Sequence, residues 1–446
     1  MGNAREWSWA ARLTVLAVAA ATAVSVIYLP QAMLTVLAAG FGVAPAAAGV
    51  IATSVQAGYA IGIFLLVPLA DRVQPRRQVT IQSVLLAAAL AVTAVLPEIV
   101  GVTLGFLAVG LVANIAQILI PAASRLAPKG KEGAALATVA GALLIGIFGG
   151  RIIASLLVQT IGWRWVVLSF AALVLAVLPF LRTALATELE LHAAGGKYRH
   201  LLASTLQLSR RSPELIQSAL MQFFVFATFN SLWTVTVLHL TGPGFGWSVL
   251  SAGLFGAVGL AAGIATPFSG RFVDRFGPLP VGLVFLLVLL LGVLSVIIDL
   301  SSAVMFGASM FVITWATQTI LSANQTRTLA ANPVQSAQAN TVFMFAVFLG
   351  GSTGAFTGTV AFSAGGMPLV GVQAGAFVLI ALVIWFASAT HQKRTTPNPG
   401  KKGSQHDHRR KHPAEYRSEH PTGRIRMLAD RPRRYCRRRA RRIPRL

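Results

Sequence analysis

Arg151 is the residue best placed to do chemistry, because it stands where the surrounding sequence offers it no water. It lies some 17 residues into an apolar segment that begins near residue 134. At a rise of about 1.5 Å per residue this puts it about 26 Å along a helix. An ionisable group at such a depth is costly and by default marks a binding site or a pathway. The plainer alternative is a side chain that snorkels to an interface or bonds carbonyls at a helix end. A lone positive charge suits an anionic or polar ligand. Proton chemistry instead needs a titrating group that changes its exposure. The candidates are Glu98, His239 and Asp299, all at the ends of apolar segments, and no Asp or Glu falls in the middle of one. Polar and aromatic residues recur at mid-segment depth: Tyr28, Gln31, Gln56, Asn114, Gln117, Asn230, Trp233, Trp315, Gln318 and Asn340. They read either as the lining of a shared cavity or as interhelical hydrogen bonds, which average about 0.6 kcal/mol in membranes. Asn114 and Gln117, three apart, are expected to share one helix face.

The elements that must carry these residues follow from composition. Soluble proteins average roughly 25% charged residues, whereas this chain has 11%, with 55% hydrophobic. About 20 apolar residues make one membrane-crossing helix. Twelve such segments are predicted, near 12–39, 46–70, 78–97, 100–125, 134–160, 163–182, 214–240, 248–270, 279–299, 302–326, 338–361 and 367–390. The net charge of +24 does not indicate a nucleic-acid partner, because 19 of the 37 Lys and Arg residues lie beyond Thr390. With twelve crossings, every basic residue except Arg151 and Arg164 falls on one face, 35 of 37. The positive-inside rule makes that face the cytoplasm and places both termini there. The single cysteine, Cys436, excludes an internal disulfide, and no Cys/His cluster has metal-ligand spacing. Neither a metal nor a cofactor is expected, and the absence of a Walker-type loop leaves ATP-driven work unsupported.

A charged turn occurs twice. Asp71-Arg72 precedes Arg76-Arg77, and Asp274-Arg275 recurs 203 residues later (71 to 274). Arg125 and Arg327 stand 202 apart, Gly149-Gly150 and Gly350-Gly351 201 apart, Tyr28 and Asn230 202, and Gln117 and Gln318 201. Landmarks within two residues of one offset indicate an internal duplication. The predicted organisation is a six-helix bundle over 1–182, a linker over 183–213, a second bundle over 214–390 and a basic tail over 391–446. The tail has no hydrophobic periodicity. It is expected to be a disordered extension, or to lie on anionic lipid at roughly 1 kcal/mol per basic residue near the surface. Two bundles that bury each other are expected to work as a monomer.

These features resemble the major facilitator superfamily. Leu69, Ala70, Asp71, Arg72, Arg76 and Arg77 are similar to its motif between spans 2 and 3, and Gly270, Asp274, Arg275 and Gly277 to the second copy. Tyr28-Leu29-Pro30-Gln31 and Gly162-Trp163-Arg164 resemble its drug:proton antiporter branch. That branch often carries an arginine early in span 4 and a proline in the span 5 motif; Leu104–Gly110 and Ile145–Gly150 have neither. The resemblance implies an all-α membrane protein with two pseudo-symmetric six-helix bundles and alternating access around a midplane cavity. It also implies a cytoplasmic latch. Asp71 would face the positive N-terminus of span 11 with Arg72, Arg76, Arg77 and Arg125 nearby, and Asp274, Arg275 and Arg327 would form the mirror set. Three functions are open on the sequence. One is secondary active export of a small organic molecule across the inner membrane. Another is uptake or facilitated passage of an anionic metabolite. A third is a receptor or scaffold that keeps the fold without moving solute.

Overall fold

The computed structural model describes residues 7–186, 198–298 and 302–395, with backbone alone at 71, 267–269 and 391–395. It is helical throughout these residues. The helices are α1 (Trp9–Ser25), α2 (Leu29–Ala32), α3 (Leu34–Phe41), α4 (Pro45–Leu66), α5 (Pro75–Val95), α6 (Ile99–Val112), α7 (Ile115–Leu126) and α8 (Glu132–Ala184). After them come α9 (Tyr198–Arg211), α10 (Pro213–Thr241), α11 (Val249–Leu254), α12 (Gly256–Phe276), α13 (Pro278–Ile298), α14 (Ala303–Ala331) and α15 (Ser336–Thr395). Single 3₁₀ turns follow α1 and α4, at Val26–Tyr28 and Val67–Asp71. Residues 187–197 of the predicted linker, the basic tail beyond 395 and Asp299 lie outside the described residues. The tail's expected contact with anionic lipid therefore falls there too.

The outer faces of these helices are as apolar as their inner ones. On α13, Val281, Phe285 and Leu289 are buried while Val284, Leu287 and Leu291 are exposed. A helix that is hydrophobic all round belongs in a membrane. Among the described residues, ten helical runs are long and apolar enough to cross one. The sequence predicts twelve segments, and two pairs of them are joined. α8 runs for 53 residues and α15 for 60, roughly 80 and 90 Å if straight, against a hydrocarbon core of about 30 Å. Each is broken inside by glycine. Gly162 has φ 77°, ψ 158°, and Gly366 has φ 65° beside Gly365 at φ −156°. A positive φ is open to glycine without steric cost, so the chain turns there without a loop, and hydrogen bonding resumes at once.

Two glycine-lined seams repeat the same packing. A methyl group on Gly146 or Gly150 of α8 would overlap Ala21 or Ser25 of α1. A methyl on Gly350 or Gly354 of α15 would overlap the backbone of Phe223 or Ala227 of α10. The structural match thus pairs Gly146 with Gly350 and Gly150 with Gly354, three residues off the pairing expected from the two Gly-Gly dipeptides. The first seam joins α1 to α8 and the second joins α10 to α15. On other faces α8 meets the later helices through Ser155, Ile152, Phe148 and Leu144, against Gly253, Gly256, Gly259 and Gly263 of α11 and α12. Gly141, on the same helix, meets nothing within 4 Å. Gly354→Ala should therefore lower the unfolding temperature in detergent, by the about 1–3 kcal/mol typical of overpacking. Gly141→Ala should leave it unchanged. Intrinsic tryptophan fluorescence on heating checks both.

Candidate substrate-binding site

The first crossing is not one smooth helix. Pro30 has no N–H to donate, and the chain passes from α1 through the 3₁₀ turn into the four-residue α2, then breaks at Met33 (φ −110°, ψ 13°). This brings Tyr28 and Gln31, both buried, against Arg151 of α8. Arg151 is 5% exposed. Its Nη2 donates to Gln31 Oε1, while Nε and Nη1 have no partner. Among the described residues no carboxylate pairs with it. Three rings surround the guanidinium: Tyr28 at 4.6 Å, Phe148 at 5.2 Å and Trp233 at 5.2 Å from carbon to ring centre. Guanidinium over a ring face is attractive, by about 2 kcal/mol or more when desolvated, but the rings leave the two N–H groups unsatisfied.

The polar contacts continue across the helix sets. Gln31 Nε2 donates to Asn230 Oδ1 of α10 at 3.2 Å, and Gln56 Nε2 of α4 donates to the same oxygen at 3.0 Å. One carbonyl oxygen of the second set thus collects two donors from the first. Trp233 is held over Arg151 by its own bond, Nε1 to Thr314 Oγ1 of α14 at 3.0 Å. A narrow cleft opens beside Arg151, bounded by Gln31, Ser155, Trp233, Gly253 and Gly256.

The structure brings together Tyr28, Gln31, Gln56, Arg151, Asn230 and Trp233, six of the eleven cavity residues expected from sequence. The other five lie apart from this cluster. Asn114 sits at the break between α6 and α7 and accepts from Gln82 Nε2 at 3.0 Å. Gln117 instead donates to Tyr59 Oη at 3.5 Å. Gln117 N–H bonds to the Asn114 carbonyl at 3.1 Å across the first turn of α7, yet the two side chains take different partners. Trp315 lies edge-on to Phe285 of α13 at 5.1 Å. Gln318 is buried on α14. Asn340 accepts from Gln325 at 2.8 Å within the first turns of α15, near a helix end and not at mid-depth.

The charged turns lie at helix ends. Asp71 closes the 3₁₀ turn after α4, and Arg76 and Arg77 are exposed at the start of α5. Arg72 is half-buried, and Arg125 is exposed in the last turn of α7. Asp274 and Arg275 are exposed in the last turn of α12, with Arg275 over the Phe276 ring at 5.3 Å. Arg327 differs from its counterpart Arg125. It is buried, donating to Gln217 Oε1 at 2.6 Å and Ser218 Oγ at 3.4 Å of α10. Glu98 is exposed at the start of α6. His239 packs in the last turn of α10 between Phe245 and Phe306, each at 5.1 Å. Two groups escaped the sequence reading. Phe148 is three residues before Arg151 and so shares its face, a signal that spacing alone carries. The buried Gln222–Asn324 pair, bonded at 3.0 Å, shows the same signal as the residues that were singled out: amides inside apolar runs.

The structure defines a multi-span helical membrane protein with a singly charged, ring-lined centre shared by two helix sets. The chain matches the Major Facilitator Superfamily over residues 13–331 and again over 218–436, and it belongs to that superfamily. It is 30% identical over 386 residues to the uncharacterized transporter YgaY of Escherichia coli O157:H7, covering 86% of this chain and 97% of that one. It is 33% identical over 391 residues to the probable transporter SCO4007 of Streptomyces coelicolor, covering 86% and 89%. The inner membrane transport protein YdhP of Escherichia coli K12 is 24% identical over 375 residues, covering 82% and 92%. In fold the chain is similar to a bacterial homologue of the human lysosomal transporter Spinster in an inward-facing, occupied conformation. The TM-score is 0.70 at 16% identity, over 87% of this chain and 98% of that one. The protein is a membrane transporter of the superfamily type.

Removing the shared acceptor tests the central network. Asn230→Ala leaves the Gln31 and Gln56 amides without their acceptor, a cost of about 1–3 kcal/mol for each buried group stranded. It should lower the unfolding temperature measurably. Asn340→Ala, near a helix end, should change it little. Thermal unfolding of the two variants side by side is the check.

Proposed function

We propose that the protein exports a small organic anion from the cytoplasm across the inner membrane by alternating access, with Arg151 as the binding charge. One observation carries the reading: a buried guanidinium with two unpartnered N–H groups beside a cleft and no carboxylate against it. Leaving a charge buried and unpaired costs several kcal/mol, and an anion in the cleft would supply the missing partner. Gln31 Oε1 already holds Nη2, so the anion takes the two nitrogens left over. Because Gln31 also donates to Asn230, an anion that draws Arg151 toward itself would pull on the contact between the two helix sets. That is the coupling alternating access needs.

The folding back of α8 at Gly162 and of α15 at Gly365-Gly366 supports twelve crossings. The distribution of Lys and Arg supports cytoplasmic termini, and the similarity to YdhP, an inner membrane transport protein, supports the inner membrane. The second match to the superfamily, which begins near residue 218, supports two bundles joined in tandem. The drug:proton branch of the resemblance would require a proton-carrying group at the site. Among the described residues Arg151 has no acidic neighbour, and His239 lies at the end of α10. Uniport of a monoanion needs no such group. Each charge crossing 100 mV is worth about 2.3 kcal/mol, so an inside-negative potential drives the anion outward about fifty-fold per 100 mV at equilibrium. The latch at Asp71 with Arg72, Arg76, Arg77 and Arg125, mirrored by Asp274, Arg275 and Arg327, would hold the cytoplasmic side shut between turnovers.

In proteoliposomes, organic-anion flux should rise with a valinomycin-set potential that is negative on the anion's side, and should carry no protons. Gln31→Glu places an internal carboxylate on Arg151 and should abolish flux while the protein stays folded, as Arg151→Gln should. Flux indifferent to both changes and to the potential would sink the proposal. For the latch, Asp71→Asn should cut flux at least several-fold with membrane insertion intact. Unchanged flux removes Asp71 from the mechanism.

A further inference from the structure

We infer that the preferred cargo is a monoanion with a flat aromatic body, an inference that rests on the anion-binding reading of Arg151. The charge argument comes first. Arg151 is the one Lys or Arg placed mid-helix among the described residues; Arg12, Arg125, Arg271, Arg275 and Arg327 all stand within about two turns of a helix end, and Arg164 follows the break at Gly162. A single buried cation neutralises one negative charge. A dianion would carry its second charge into the same low-dielectric space unpaired, which is costly.

The body follows from what surrounds the guanidinium. The Tyr28, Phe148 and Trp233 rings all stand within 5.2 Å of it. The rings also form a continuous wall across both helix sets. Phe148 meets Trp233 at 5.0 Å and Phe229 at 6.5 Å; Phe229 stacks on Phe226 at 5.4 Å and 21°; Phe226 meets Phe348 of α15 at 5.5 Å. Gln31 and Gln56 both donate to Asn230, and the polar atoms left without a partner beside them are Tyr28 Oη and Gln56 Oε1. Two such atoms are few for a polyhydroxylated body, whereas Trp233 lines the cleft and offers a planar ring an aromatic partner. The acidic group would lie on Arg151 Nε and Nη1, and the ring against Trp233. Trp233 belongs to α10 and Arg151 to α8, so a ligand held by both would touch both sets at once.

Sulfonates stay ionised at every working pH and make clean probes. The full chain in detergent would be titrated by calorimetry with benzenesulfonate, cyclohexanesulfonate, benzenedisulfonate and gluconate. Benzenesulfonate should bind about tenfold tighter than cyclohexanesulfonate and at least tenfold tighter than either the disulfonate or gluconate. Trp233→Leu, or Phe148→Leu if that variant fails to fold, should bring benzenesulfonate down to the affinity of cyclohexanesulfonate and leave the latter little changed. Equal or tighter binding of the disulfonate, gluconate or the cyclohexane compound overturns the aromatic monoanion and leaves the anion reading standing. If no probe binds, or if Arg151→Gln binds them as the wild type does, the anion reading itself falls and this inference with it.

Discussion

A guanidinium buried among apolar helices, with no carboxylate against it among the described residues, is the constraint around which the centre of this protein is organised. Arg151 stays in place because three rings and one amide oxygen each offset part of the cost of its charge. Those four groups come from three separate crossings, so satisfying the charge requires the helices to meet there. The kink at Pro30 turns Tyr28 and Gln31 inward, the glycines of α8 bring α1 close enough for them to reach, and Thr314 fixes the plane of Trp233. The last bond in the chain, Gln31 to Asn230, passes the arrangement to the second helix set.

That chain of contacts explains why the glycine seams differ in kind. Gly146 and Gly150 against α1, and Gly350 and Gly354 against α10, bring backbones together within each set. Such close approach makes each pair of helices behave as one body. The contact between sets is made instead by Ser155, Ile152, Phe148 and Leu144 on the glycines of α11 and α12, side chains on a smooth surface. Rigid seams inside each set and a side-chain seam between them are what rocking of one set against the other requires.

Much of this was legible in one dimension. Membrane character follows from hydropathy and composition, and the burial of Arg151 from its place inside an apolar run. Tyr28, Gln31, Gln56, Asn230 and Trp233 stood out because polar and aromatic side chains are conspicuous inside apolar runs. Depth along a helix is not direction around it, however, and this is where the reading stopped. Asn114 and Gln117 are three apart across the first turn of α7, yet one bonds Gln82 of α5 and the other Tyr59 of α4. Asn340 looked like a core amide and is a helix-start amide. Phe148, central to the site, is one apolar residue among many and gives no compositional signal. The pairing of the two Gly-Gly dipeptides was also off by three residues, because adjacent glycines look alike in sequence while their contacts do not; the residues they pack on, Ala21 with Phe223 and Ser25 with Ala227, keep the offset of 202.

A positive charge at the centre and a family resemblance to proton-driven exporters pull in opposite directions if coupling is assumed to be chemical. They agree if the driving force is electrical. A proton-coupled cycle needs a carboxylate that loads and unloads beside the cargo; the cargo's own charge makes that unnecessary when the membrane is polarised. The positive centre then serves twice, compensating the anion during the crossing and selecting against the cations that the same potential would pull inward. On this view the aromatic wall supplies affinity that does not depend on charge, and Gln31 Oε1 keeps one nitrogen of the guanidinium satisfied whether the anion is bound or has left.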